Sequence, residues 1–191
     1  FYGENEGQKQ DVIQANFSQF TKENTYKYSE KDLIENKQIF FENIYSKSFF
    51  ENEKLILISD VSDKILNLIE EIITSKINDV IIILIAKRLE KKSRIRNYFE
   101  KEKTTIIIPF YEDTPQTLIS IAKKILIENK INLSSENINL IIERSQGDRI
   151  NLKNELQKII NLSQNNKKIE LEDILKLTNL SENYSVGELV D

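Results

Sequence analysis

Two unbroken apolar runs, at residues 55–58 and 80–86, restrict what this chain can fold into more than any other feature. A run with no polar alternation suits a strand covered on both faces, and strands covered on both faces belong to parallel sheets. Between the two runs Ile65, Ile69, Ile72 and Ile73 recur at helical spacing. Parallel neighbours need a crossover connection of that length. The pattern predicts strand, helix over 62–76, and strand again, and therefore an α/β fold.

The flanking sequence extends the alternation. Phe1-Tyr2 followed by Gly3-Glu4-Asn5-Glu6-Gly7 reads as the tail of a strand turning into a helix, with Ile13, Phe17 and Phe20 on one side. Residues 25–28 alternate like a short strand, and Ser29 or Glu30 opens a helix carrying Leu33, Phe40, Phe41 and Ile44. Asp60 is expected to cap the helix that starts near Ser62. Residues 104–109 read as one more strand, after which Thr114-Pro115 starts a helix with Pro in its favoured first turn.

From there the period stays helical. Leu118, Ile121, Ala122 and Ile125 form one stripe, and Ile138, Ile141 and Ile142 a second after Ser134. Leu152, Leu156, Ile159 and Ile160 form a third beyond Gly147, and Leu171, Ile174 and Leu175 a fourth. The expected organisation is an α/β domain over residues 1–112 with a truncated first strand, a small helical domain over 113–180, and a linker over 181–191 towards a further domain.

Composition removes much chemistry. With no Cys and no His among 191 residues, thiolate metal sites, the usual zinc sites, Cys nucleophiles and His-based triads are excluded. No cofactor and no metal are expected. A net charge of -4 argues against wrapping nucleic acid by bulk charge, although a local basic patch remains open. No apolar run approaches the roughly 20 residues of a membrane span. No signal peptide is seen, and a cytoplasmic location without membrane contact is expected. With no Met, even at position 1, the sequence is expected to be a piece of a longer chain.

Three stretches carry functional expectations. The first is Gly3, Gly7 and Lys9, which stand where a phosphate-binding loop would lie between strand and helix. That loop requires G-x-x-x-x-G-K-[ST], whose Lys reaches the phosphates and whose hydroxyl holds magnesium. Here the glycines are separated by three residues, Gln8 follows Gly7 and Gln10 follows Lys9, so it reads as a degenerate loop. An active ATPase with Lys9 on the phosphates and Asp60 on magnesium is the alternative, although no Glu follows Asp60.

The second stretch is Ser48-Phe49-Phe50, two adjacent aromatics in a polar setting beside Lys47, Glu51, Glu53 and Lys54. Such a pair is either tucked under its own domain, as most aromatics are, or presented to a partner as an anchor. The third places Lys87, Arg88, Lys91, Lys92, Arg94 and Arg96 within ten positions that hold a single acid, Glu90. A cluster of this kind meets phosphate, meets an acidic protein surface, or forms a solvated rim.

Taken together, an α/β domain with a degenerate phosphate loop and a helical lid resembles the AAA+ architecture. More narrowly, the chain resembles the delta subunit family of bacterial DNA polymerase III, a part of the sliding-clamp loader. The similar stretches are FYGENEG at 1–7, SFFENEKLILI at 48–58, the apolar strand followed by Lys91-Lys92-Ser93, GDRINLKNELQKI at 147–159, IELEDILKLT at 169–178 and a final VGELVD. The resemblance implies an AAA+-like parallel sheet with helices on both faces, followed by the lid, and a subunit that does not hydrolyse ATP. It implies that Ser48, Phe49 and Phe50 bind the sliding clamp (beta subunit), with Phe49 where that family usually has Leu. Partners would be the clamp, the other loader subunits, and DNA through the assembled loader. Arg149 is assigned no nucleotide-sensing role. An adaptor unconnected with any clamp is a further alternative.

Overall fold

The computed structural model describes residues 1–46, 53–75, 77–164 and 169–178. It divides into two compact units, Phe1–Tyr111 and Glu112–Asp191.

The first unit is built on a parallel sheet. Strands β1 (Thr25–Ser29), β2 (Lys54–Ser59) and β3 (Val80–Leu84) pair in that order, with Thr25 opposite Leu55 and Leu55 opposite Ile81. Leu55, Ile56 and Ile58 are buried, as a strand covered on both faces requires. Helix α1 (Glu6–Asn16) precedes β1, and α2 (Glu30–Glu35) and α3 (Lys37–Tyr45) follow it. The single helix expected after Ser29 is thus two, broken at Asn36. Ser29 caps the first through a reciprocal pair with Asp32.

A 3-10 turn (Asp63–Ile65) leads into α4 (Leu66–Thr74), and α5 (Arg94–Lys101) follows β3. Leu33, Phe40 and Ile44 join Ile56, Ile58, Ile65, Ile69 and Ile72 in one core. Each such side chain stabilises the fold by about 1.5–3 kcal/mol on burial. The Tyr28 ring meets Phe40 edge-on at 5.1 Å.

Two expectations are corrected here. Asp60 does not cap the helical turn after it, because Ser62 does so through its side chain, accepting from the Lys64 N–H. Asp60 instead turns the chain with φ 56. Residues 104–109 do not form a strand. Only Pro109 bridges, to Tyr2, which also bridges Ala86. The Tyr2 N–H donates to Ile108 and the Phe110 N–H to Tyr2, while Pro109 lacks the N–H that a ladder would use. Ile106 stays 77% exposed. An apolar cleft of about 690 Å³ opens alongside, lined by Ile82, Leu84, Ile106 and Ile108 among others.

The second unit is helical. Helices α6 (Pro115–Glu128), α7 (Ser135–Arg144), α8 (Arg149–Ser163) and α9 (Leu171–Thr178) bury Leu118, Ala122, Ile138, Ile141, Leu152, Leu156, Ile159 and Ile174 together. Side-chain caps start three of them: Thr114, Ser134 and Asp148 each accept a backbone N–H three residues on. Gly147 takes φ +74 in the turn between α7 and α8, where a side chain would be strained. Leu171, expected on the core stripe, is 50% exposed.

Candidate functional site

The loop between Tyr2 and α1 is closed by its own hydrogen bonds. Gly3 runs so close to Phe110 that a Cβ would stand 2.0 Å from its carbonyl oxygen, and its φ is +122. The Gly3 N–H donates to Lys87, the Asn5 N–H to Phe110 and the Glu6 N–H to Glu4. Asn5 caps α1, its side chain accepting from the Gln8 N–H and donating to the Tyr111 carbonyl. A phosphate cradle needs such amides unpaired and directed at the ligand.

Lys9 is equally engaged. It is 1% exposed, and its Nζ donates to the Ala86 carbonyl at 2.9 Å and to Glu6 Oε1 at 2.7 Å. It therefore ties α1 to the end of β3 rather than projecting towards solvent. Gly7 is buried in the first turn of the helix. The Gly3 N–H and the Lys9 ammonium thus serve the fold.

Ser48, Phe49 and Phe50 lie outside the described residues. Their flanks are described. Helix α3 ends at Tyr45 with Ser46 as its cap, and β2 begins at Lys54. Ile39 and Tyr45 are 56% and 53% exposed on that helix, and the Phe41 and Tyr45 rings stack at 5.8 Å.

The basic stretch divides in two. Lys87, Arg88, Lys91, Lys92 and Arg94 are exposed on the loop after β3 and at the start of α5, with Lys92 paired to Glu90 at 3.2 Å. Arg96 belongs elsewhere: its Nε donates to Glu100, Nη1 to the Leu89 carbonyl, and its guanidinium lies 5.1 Å from the Tyr2 ring centre. Two positions along the helix separate Arg94 from that inward face.

Asp63 holds this basic element in place, and nothing in its local sequence signals the role. Its carboxylate accepts from Ser93 Oγ, Arg94 N–H and Ile95 N–H, completing the cap that Ser93 provides for α5. Burial pushes its pKa up, but those three hydrogen bonds outweigh burial and hold the carboxyl below its usual range.

Among the described residues no group of His, Cys, Asp or Glu is gathered to hold a metal ion. No helix among them is long and apolar enough to cross a membrane.

In comparison with known proteins, residues 1–109 match the family model of the DNA polymerase III delta subunit. No curated protein sequence matches the chain. The Bacillus subtilis DNA clamp loader delta protein is similar in structure, with a TM-score of 0.56 at 12% identity, over 92% of this chain and 56% of that one. The chain thus spans just over half the length of that relative. Domain III of the Thermotoga maritima replication initiation protein DnaA is similar at a TM-score of 0.51 and 15% identity, over 92% of this chain and 80% of that one. At these identities the likeness is one of fold, the AAA+-like α/β architecture with a helical unit.

Proposed function

The chain belongs to the DNA polymerase III delta subunit family, and from that premise we propose that it binds the sliding clamp and helps to open it during DNA replication, as a subunit of the clamp loader. The observation that carries the reading is the family match across residues 1–109, a span that includes Ser48-Phe49-Phe50. The two phenylalanines are the proposed anchors on the ring-shaped beta subunit. Neighbouring loader subunits supply ATP hydrolysis, and DNA is reached through the assembled loader.

The state of the phosphate loop supports a binding role over an enzymatic one. Lys9 is buried against Ala86 and Glu6, and the loop amides are hydrogen-bonded within the chain. An active ATPase would require that cation to leave a protein carbonyl and a carboxylate before it could meet a γ-phosphate.

The test is capture of this chain by purified clamp, followed by the same measurement on Phe49→Ala and Phe50→Ala. Each substitution is expected to weaken binding by about 2 kcal/mol while circular dichroism is unchanged. Normal clamp binding by both variants, or none by the parent chain, would overturn the reading and favour an adaptor of another complex.

A further inference from the structure

Tyr2 is bonded as a residue inside a sheet is. It bridges Ala86 on one side and Pro109 on the other, both in the parallel sense. Successive residues alternate between those neighbours. The Phe1 nitrogen donates to the Leu84 carbonyl at 2.8 Å and the Phe1 carbonyl accepts from the Ala86 N–H; the Tyr2 N–H donates to Ile108 and its carbonyl accepts from the Phe110 N–H; the Gly3 N–H returns to Lys87. A strand with a parallel neighbour on each side makes that pattern.

The apolar cleft prolongs this track backwards from Phe1. β3 stands at the end of the strand order, so among the described residues no strand covers its outer edge. The Ile85 N–H donates to Ile58 in β2 and the Ala86 N–H to Phe1. The same alternation turns the Ile82 and Leu84 amides to the cleft, and on the opposite wall Ile106 and Ile108 share the phase of Phe110. The cleft measures about 690 Å³, and Val12, Ile72 and Phe99 of α1, α4 and α5 line it together with those two walls. With Tyr2 opposite Ala86, Phe1 falls opposite Ile85, and the whole of β3, five residues, lies along the cleft beyond it.

The chemistry of the walls selects the occupant. Backbone amides and carbonyls facing an apolar space need partners. A small apolar ligand offers none, whereas an extended chain brings donors and acceptors at the spacing of the ladder. Apolar residues from three helices make both faces of such a strand apolar. Ile106, now 77% exposed on the wall, would be covered by it.

We propose that the cleft is a strand socket, which takes one extended apolar polypeptide segment of about five residues, parallel to β3 and continuous with the Phe1–Tyr2 strand. The proposal is independent of the clamp reading. A segment joined to Phe1 has its register set in advance, because Tyr2 already stands on both ladders.

The test lengthens the chain at Phe1 by a stretch matched to β3, of alternating valine and isoleucine in one version and of glycine and serine in the other. Amide exchange, thermal melting and sedimentation velocity are compared with the parent chain. The apolar extension should slow exchange of the Ile82, Leu84, Ile106 and Ile108 amides by about tenfold or more and raise the melting temperature of a monomer. The glycine and serine extension should do neither. Ile106→Ser should shift the melting temperature of the parent by no more than about 2 °C, as an exposed position does, and that of the apolar extension by more. Equal protection by both extensions, protection by neither, or a gain that accompanies self-association would overturn the proposal. Protection present in the parent and lost on dilution would make a second copy the occupant and overturn it as well.

Discussion

The carboxylate of Asp63 lies 2.7 Å from the hydroxyl of Ser93, thirty residues further along the chain. With the Arg94 and Ile95 amides at 2.9 Å, it fixes the start of the helix that carries part of the basic stretch. Asp63→Asn should lower stability by about 1–2 kcal/mol in urea unfolding near neutral pH, the usual size of a missing cap with charge-assisted bonds. The effect depends on pH with a defined sign. Because the folded pKa is depressed, the contribution is complete above the ordinary Asp range near pH 4 and fades as pH falls through the folded value. The melting temperatures of parent and variant should converge on acidification.

In the helical unit Arg149 and Asp113 form a buried bidentate pair, Nε donating to Oδ2 at 2.7 Å and Nη2 to Oδ1, with side chains 9% and 5% exposed. Removing one partner leaves the other charged and desolvated. Arg149→Ala should cost about 3–5 kcal/mol, and adding Asp113→Ala should restore part of it. A double-mutant cycle by urea unfolding measures the coupling. An additive result would show that the pair is merely adjacent.

Lys9 provides a test of the phosphate loop. Lys9→Met removes donors to Ala86 and Glu6 and should destabilise the chain by about 1–3 kcal/mol. A fluorescent ATP analogue titrated with magnesium should give no saturable micromolar signal with parent or variant. Micromolar binding that Lys9→Met abolishes would restore the ATPase alternative.

The exposed cations give a salt-dependent prediction. Changing Lys91, Lys92 and Arg94 together to Gln should flatten the salt dependence of DNA binding by the reconstituted loader, by about 0.9 in slope for each phosphate no longer neutralised. Arg96→Gln should instead act on stability, since that guanidinium is held by Glu100, Leu89 and Tyr2. An unchanged slope with weaker subunit assembly would identify a protein interface, and no change in either would identify a solvated rim.

What the sequence disclosed follows from range. The strands at Leu55 and Ile81 and the four apolar stripes after Thr114 were legible because burial imposes a local period. Residues 104–109 misled because an apolar run signals burial but not a partner, and only Pro109 found one. Arg96 reads as one of a basic group because position along the chain ignores the turn of a helix. The hydrogen bonds of Asp63 and Lys54 were not legible at all. Asp63 acts thirty residues away, and Lys54 reads as one more surface cation until the end of α3 is placed over it.

The pairing of Tyr2 with both Ala86 and Pro109 carries a consequence for how the first unit is made. Its central segment leaves the ribosome early, yet one flank depends on the Ile108 carbonyl and the Phe110 amide. At roughly 5–20 residues per second, something like 5 to 20 seconds separate the two emergences. During that interval the side of Tyr2 that later meets residues 108–110 is a template for any extended chain nearby. A nascent chain halted before residue 108 would offer that template to its neighbours, and one extended beyond Phe110 would have withdrawn it.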